Sequence, residues 1–184
     1  MCGRFFSDEN ENARIKNIYK QIKENYPDVN VKSGEIFPTD IVPIIQSNLA
    51  PMPQKWGIKN KYNEKINVIN SRSENITKNT FKEYFNKYRI VVPCSGYYEW
   101  SKNKEKYYFA QKDEQLMFMC AISTGNGIDD SFSIITTNAI NDFHLIHDRM
   151  PLILKENEVK QYLNDYDFAL YKLSHNYSDN VEIR

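Results

Sequence analysis

The stretch RIVVPCSGYYEWSKNKEKYYFAQ, residues 89–111, decides the fold class. β-branched and aromatic residues fill most of it, which is typical of strands. Ser95-Gly96 predicts a bend, and the polar run 102–106 predicts a hairpin loop. Strands are predicted at 89–93, 96–101 and 107–111. So dense a set of strands indicates a β-rich core.

The chain on either side continues the pattern of short apolar runs. Prolines are expected to separate the earlier runs, with Pro38 and Pro43 as breaks and Pro51-Met52-Pro53 as a turn. Further strands are predicted at 29–31, 41–46, 55–59, 66–70, 117–123 and 132–137.

Helices are predicted at only a few places. Asp8 and Glu11 have the spacing of a capping box, and a helical apolar pattern follows until Tyr26-Pro27. Other helices are predicted at 78–87 and 155–164, and the stretch after Asn164 carries no motif. We therefore expect one domain, residues 1–184, of the α+β class. Its core is expected to be a curved, largely antiparallel β-sheet or barrel-like, with a few flanking helices.

The composition is globular and the charges cancel. Hydrophobic residues make up 41% of the 184 residues, which excludes disorder of the whole chain. Lys and Arg number 24 against 24 Asp and Glu. Binding to nucleic acid by bulk attraction is therefore not expected, although this balance does not exclude a local basic patch. Three widely spaced cysteines, with no signal-like or membrane-spanning run, predict a reduced, cytoplasmic protein with no membrane partner.

Cys2 is the most distinctive candidate for chemistry. Met1 is expected to be removed because the next residue is small, which leaves an α-amine and a thiol on adjacent carbons. The amine titrates near pH ~7.7–8.0, so part of it is neutral and nucleophilic at pH 7. It can form a Schiff base with an aldehyde, and the thiol can then close a thiazolidine ring. The alternative is a chance cysteine at the second position.

Two positions are candidates for proton transfer. Glu99 lies among aromatic residues that would raise its pKa by desolvation, although a solvent-facing carboxylate is the alternative. His147, beside Asp148 and Arg149, suits proton transfer, whereas His144 suits a structural role. No further residues have metal-ligand spacing, so we expect no metal and no cofactor.

A third candidate is the polar run from Asn70 to Glu74. It is either a plain loop or a site that presents an amide and a guanidinium to a phosphate or a sugar. Arg4 and Arg149 adjoin the other candidates and could bind phosphates. Trp56 and Trp100 could stack on bases or lie buried in a core.

Together these pieces resemble the SOS-response-associated peptidase (SRAP) family, the abasic-site processing proteins. The match runs from residue 1 to about 154, and its motifs occur in the order of that family. One departure is Ser71, where the family often has Ala. The motifs are Met1-Cys2-Gly3-Arg4-Phe5, Trp56-Gly57, Asn70-x-Arg72-x-Glu74, Gly96-Tyr97-Tyr98-Glu99-Trp100, Thr136-Thr137-x-Ala139 and His147-x-Arg149-Met150-Pro151.

The resemblance implies an abasic-site sensor that forms a thiazolidine crosslink with single-stranded DNA through Cys2 and protects the lesion during the DNA damage response. It also implies a lyase-type activity and autoproteolytic removal of the residue before Cys2. Implied catalytic residues are Cys2, Asn70, Glu99 and His147. Implied DNA-binding residues are Arg4, Pro38, Trp56, Arg72, Trp100, Thr136 and Arg149.

The implied partner is single-stranded DNA with abasic sites, including replication-fork DNA, bound by a monomer that joins the nucleoid. The arginines beside the chemistry predict a local positive cleft on a neutral body. Two other functions stay open at this point: an amino-terminal-nucleophile cysteine peptidase or amidase, and a non-covalent single-stranded DNA-binding module.

Overall fold

The computed structural model describes residues 2–112 and 115–184, which form two large β-sheets, a small two-stranded sheet and flanking helices. The strands are β1 Arg4–Ser7, β2 Gly34–Ile36, β3 Ile41–Ile45, β4 Pro51–Trp56, β5 Ile58–Lys59, β6 Asn67–Val68, β7 Asn70–Arg72, β8 Arg89–Cys94, β9 Gly96–Trp100, β10 Lys106–Gln111, β11 Met117–Ser123, β12 Ser131–Asn138, β13 Arg149–Pro151, β14 Ile153–Leu154 and β15 Val181–Ile183. The α-helices are α1 Ala13–Asn25, α2 Asn79–Lys87, α3 Val159–Asn164 and α4 Tyr166–Lys172.

The first large sheet closes on itself as a barrel. Its strands follow the order β12-β4-β3-β8-β11, and β11 then pairs with β12 again. Most of these pairs are antiparallel, whereas β12 runs parallel to β4 and to β7, which joins the barrel beside it. The expected α+β class with a barrel-like core is therefore confirmed.

The second large sheet is open and has the strand order β15-β10-β9-β1-β2. The stretch 89–111 joins it to the barrel, because β8 lies in the barrel and β9 in the open sheet. The bend at Ser95 makes this transfer, and its N–H donates to the carbonyl of Phe6 in β1. Gly96 follows because a Cβ there would lie 2.3 Å from the carbonyl oxygen of Phe109 in β10.

Two apolar cores hold these layers together. One lies between the barrel and the open sheet and includes Phe5, Trp56 and Tyr97. The other lies between the barrel and the helices, where α1 buries Ile15 and Tyr19. The open sheet is therefore covered by the barrel on one face only, and its other face is left to solvent.

The prolines interrupt strands only in part as expected, since Pro38 lies in the turn between β2 and β3 but the others lie within strands. Pro43 lies inside β3, and Pro51-Met52-Pro53 begins β4 instead of forming a turn. Pro43 lies directly opposite Pro53. The other neighbours of these strands pair with them away from the two prolines, β8 at Ile45 and β12 from Lys55 onward. The missing N–H groups therefore remove no bond from those ladders.

Local details differ at both ends of the chain. Asn12, not Asp8, caps α1, and its side chain accepts hydrogen bonds from two backbone N–H groups. Asp8 instead accepts from the N–H of Asn10 in a turn. The expected strand at 29–31 is absent from the described structure there. The C-terminal stretch without motifs folds into α4 and β15, which pairs with β10. None of the described helices has the length and apolar character that crossing a membrane requires.

Candidate active site

Cys2 lies at the entrance to β1 and is held from the barrel side. Its side chain is fully buried. The Nδ2 of Asn70 donates a hydrogen bond of 2.7 Å to the carbonyl oxygen of Cys2. Asn70 begins β7, which β12 positions by parallel pairing. No donor among the described residues reaches the buried Oδ1 of Asn70, so this amide oxygen can still accept a hydrogen bond.

Glu99 lies beside Cys2 on the inner face of the open sheet. The side chains of β9 alternate, so Glu99 is buried while Tyr98 and Trp100 are partly exposed. Burial raises the pKa of Glu99, as its aromatic setting predicts, while the nearby His147 acts in the opposite direction. These interactions bring the four proposed catalytic residues together: Cys2, Asn70, Glu99 and His147.

The thiol of Cys2 is protonated in this environment. Burial raises its pKa well above the usual range, and the carboxylate of Glu99 and the thiol of Cys94 raise it further. The S–H group lies 3.7 Å from the carbonyl oxygen of Arg4, to which it donates. A nucleophilic thiolate therefore needs a base at the moment of attack. Cys94 and Cys120 are also free and buried, as the sequence predicts.

His147 has a defined tautomer. Its Nδ1 accepts a hydrogen bond of 2.9 Å from the backbone N–H of Arg149. A backbone N–H can only donate, so the proton of the neutral ring lies on Nε2. The expected structural role of His144 agrees with its place in a short 3-10 helix, where Nδ1 contacts the carbonyl oxygen of Asn141.

Arg149 is committed to the protein itself. Its guanidinium is nearly buried and makes two hydrogen bonds of 3.0 Å to the carboxylate of Glu74. It also donates to the side chain of Asn138 and to the carbonyl oxygen of Thr136. Both Nη groups are therefore bonded within the protein, whereas the buried Nε has no acceptor among the described residues. A phosphate contact by Arg149 stays a prediction.

Trp56 and Thr136 are completely buried, which separates them from the expected DNA contacts. The ring of Trp56 packs on Phe5, and its Nε1 donates to the carbonyl oxygen of Ile69. Both residues shape the site from within. By contrast, Arg72 is exposed at the end of β7 and makes no ion pair within residues 2–112 and 115–184.

The outer face of the open sheet carries the other expected contacts. Arg4 lies over the rings of Phe37 and Trp100, with 4.2 Å and 5.0 Å from its central carbon to the ring centroids. Pro38 follows Phe37 and is partly exposed. The sequence did not single out Phe37 or Lys106, although Lys106 lies 3.9 Å from the ring centroid of Tyr98. The aromatic residues next to Lys106 in the sequence were the signal that could have indicated this position.

The described residues bring together no group of three or more His, Cys, Asp or Glu side chains that could hold a metal ion. The groups that meet at this site are the buried thiol of Cys2, an amide, a carboxyl group and an imidazole.

Comparisons with known proteins define the class. The family described as SOS response associated peptidase (SRAP) matches residues 1–183, so the chain belongs to this family. The match includes the C-terminal stretch in which the sequence alone shows no motif. The resemblance stated from the motifs is thus confirmed.

Individual relatives agree with this assignment. The chain is 31% identical to abasic site processing protein YoaM of Bacillus subtilis and 26% identical to abasic site processing protein YedK of Escherichia coli. Each match covers 89% of this chain and 79% of the relative. A crystal structure of a protein from Bacteroides thetaiotaomicron has the same fold, with a TM-score of 0.80, 23% identity and coverage of 99% of this chain and 90% of that one.

Proposed function

We propose that this protein senses abasic sites in single-stranded DNA and crosslinks to them covalently through Cys2 once Met1 is removed. Membership of the SRAP family and the names of the relatives support the abasic-site function. The hydrogen bond from Asn70 to the Cys2 carbonyl oxygen carries the covalent part, because it fixes the amino-terminal residue beside a buried acid.

The first step joins the α-amine of Cys2 to the lesion. An abasic sugar in its open form carries an aldehyde, and the amine attacks this carbon to give a carbinolamine. Loss of the hydroxyl group as water then leaves a Schiff base. The Oδ1 of Asn70, which no described donor reaches, would accept a hydrogen bond from the amine or from a hydroxyl group of the sugar. This bond would orient the reacting pair.

Glu99 serves both proton transfers. Burial raises the pKa of Glu99, which suits it to give a proton to the departing hydroxyl group. The resulting carboxylate then takes the proton of the Cys2 thiol as sulfur attacks the imine carbon. The nitrogen of the protonated Schiff base keeps the one proton left from the amine, so the attack of sulfur gives a neutral thiazolidine without any further proton. The sum is an aldehyde, an amine and a thiol giving one ring and one water.

His147 lies close enough to Glu99 to lower its pKa and assists at the same site. Because Nδ1 accepts from the N–H of Arg149, the proton of the neutral ring lies on Nε2, and we expect this N–H to donate a hydrogen bond to the opened sugar. Arg72, Arg4, Pro38 and Trp100 hold the flanking nucleotides from the surface.

Several finer activities belong to the same proposal. The site would remove the residue before Cys2 by itself, and it would act on the lesion as a lyase-type activity. The protein would work as a monomer in the cytoplasm, at replication-fork DNA and on the nucleoid. General proteolysis is not proposed, because the Cys2 thiol is buried and protonated.

The test is a denaturing gel with an abasic single strand. Wild type gives a shifted band that survives without reductant, because the thiazolidine is a closed ring. The variant Cys2→Ala keeps the α-amine, so it gives a band only when borohydride traps the Schiff base. The control Cys120→Ala, which removes a buried thiol from the other core, gives the wild-type band.

Two results would contradict the proposal. One is a stable adduct with Cys2→Ala in the absence of borohydride. The other is normal crosslinking by protein that keeps Met1, since its α-amine lies one residue too far from the thiol.

A further inference from the structure

Two basic side chains converge on one carboxylate oxygen at the outer face of the open sheet. The Oε1 of Glu35 accepts from Arg4 Nη1 at 3.2 Å and from Lys106 Nζ at 2.8 Å. These three residues come from three different strands, β2, β1 and β10. The hydrogen bonds from Lys106 and then from Arg4 lower the pKa of Glu35, so it is fully ionised at neutral pH.

Aromatic rings surround this cluster and leave it open to solvent. Phe37 is 41% exposed, and the guanidinium of Arg4 lies over its ring and over that of Trp100. The Nζ of Lys106 lies 3.9 Å from the ring centroid of Tyr98. Side chains of Arg4, Glu35 and Lys106 are 29%, 34% and 40% exposed. Rings and cations side by side are the surface that stacks bases and binds a nucleic-acid backbone.

We propose that Glu35 occupies a binding site for a DNA backbone phosphate, and that single-stranded DNA displaces it. An ionised carboxylate and a phosphate present similar oxygen acceptors to Arg and Lys. Two cations around one carboxylate leave one positive charge, which a phosphate group neutralises. Displacement is inexpensive because exposed ion pairs contribute little stability. The proposal rests on the proposed DNA function and adds Lys106, Phe37 and Tyr98 to its binding surface.

The position of this site fits a nucleotide close to the lesion. Arg4 lies two residues beyond Cys2, which is about 7 Å along an extended chain. Trp100 follows Glu99 directly on β9, so the rings and the proton-transfer group share one strand. A DNA strand held by Cys2 therefore passes over this cluster within one or two nucleotides of the lesion.

The Nε of Arg4 supports an added ligand. It is buried and has no hydrogen-bond acceptor among the described residues. Only Nη1 is bonded to Glu35, so the guanidinium has unused donors. A phosphate group that replaces the carboxylate can engage Arg4 through two nitrogens, which the single contact to Oε1 does not.

The experiment measures non-covalent binding of an undamaged, labelled oligothymidylate across a range of salt concentrations. Glu35→Gln is expected to bind about fivefold more tightly at low salt, because the competing charge is gone. The slope of log affinity against log salt becomes steeper by up to about 0.7, because in wild type the displaced carboxylate takes up a cation and offsets the one released from the phosphate. Glu24→Gln makes the same change in net charge on exposed α1 and gives neither effect.

Lysine variants provide the second arm. Lys106→Ala lowers the affinity and makes the salt slope shallower by about 0.7. The matched variant Lys102→Ala, in the exposed loop of the same hairpin, leaves both unchanged. In the double variant Glu35→Gln with Lys106→Ala, the gain from the first change is largely lost.

The outcome is separate from that of crosslinking. Equal binding and equal slopes for Glu35→Gln and Glu24→Gln overturn the phosphate site, whatever the gel with abasic DNA shows. A gain by Glu35→Gln toward acidic peptide as large as that toward DNA also overturns it. Tighter DNA binding without any covalent adduct in wild type supports the phosphate site and contradicts only the crosslink.

Discussion

The two faces of the open sheet differ although they share the same strands. The inner face of β9 carries Tyr97 and Glu99 into the core beside Cys2, and the outer face carries Tyr98 and Trp100 toward solvent. Strand alternation alone separates them. One short strand thus supplies buried side chains beside Cys2 on one face and partly exposed aromatic side chains on the other.

Two carboxylates show what this separation does. Burial raises the pKa of Glu99 on the inner face, which suits a group that must hold a proton and release it. Ion pairs with Lys106 and Arg4 lower the pKa of Glu35 on the outer face, which fixes its negative charge. Changes on the inner face should therefore alter stability and reaction, and changes on the outer face should alter affinity and salt dependence.

The two tryptophans provide the largest expected contrast. Trp56→Ala empties a fully buried site against Phe5 and should lower the free energy of unfolding by about 3–5 kcal/mol. Trp100→Ala removes a partly exposed ring and should leave that free energy nearly unchanged. It should instead weaken binding of single-stranded DNA by about 1–3 kcal/mol. Urea unfolding and a binding titration measure the two quantities. Equal losses of stability would break the comparison.

Glu74→Gln tests whether Arg149 contributes to stability or to DNA binding. The nearly buried guanidinium loses its charge partner, so stability should fall by about 1–2 kcal/mol, a value reduced because Glu74 is itself half exposed. The salt slope of DNA binding should stay unchanged, unlike that of Glu35→Gln. A steeper slope for Glu74→Gln would show that Arg149, once released, binds a phosphate.

Glu99→Gln should have the smallest effect on stability, and its sign depends on pH. Below the unfolded pKa of about 4.3 the carboxyl is protonated in both states and has no effect. As the pH rises, the unfolded state ionises first, so the destabilisation by Glu99 grows until the pH passes its raised folded pKa and stays constant above it.

The variant should therefore match wild type near pH 4 and be more stable at pH 8. Thermal unfolding across this range measures the difference, and crosslinking should slow at the same time. A variant that is less stable than wild type at pH 8 would show that Glu99 is held as a carboxylate.

The sequence predicted the local parts of this molecule well. Alternation and turn residues placed β8 to β12 close to their observed bounds, because these signals act over a few residues. The motifs also named the four inner residues that the fold brings together, while their catalytic roles stay predictions. The local signals failed at Pro43 and Pro53, where neighbouring strands happen to pair elsewhere and so tolerate proline.

Long-range contacts could not be predicted in the same way. Lys106 reaches Glu35 because β9 and β1 join their strands into one sheet. Neither residue belongs to a motif. Arg149 and Trp56 belonged to motifs, yet their burial depends on partners far along the chain, Glu74 and Phe5. Residue type indicated chemistry, whereas packing determines which of these side chains are buried and which face solvent.

The pairing of β1 with β9 also has a consequence for timing. Phe5 lies opposite Tyr97, so the strand that carries Cys2 cannot be completed until about 90 more residues have been made. At usual rates of synthesis this delay lasts roughly 5–20 s. An aminopeptidase must reach Met1 within that interval, before Cys2 is buried. Self-removal must wait until after it, because Asn70 and Glu99 assemble only in the finished fold. The age of the nascent chain at which Met1 leaves thus tells the two routes apart.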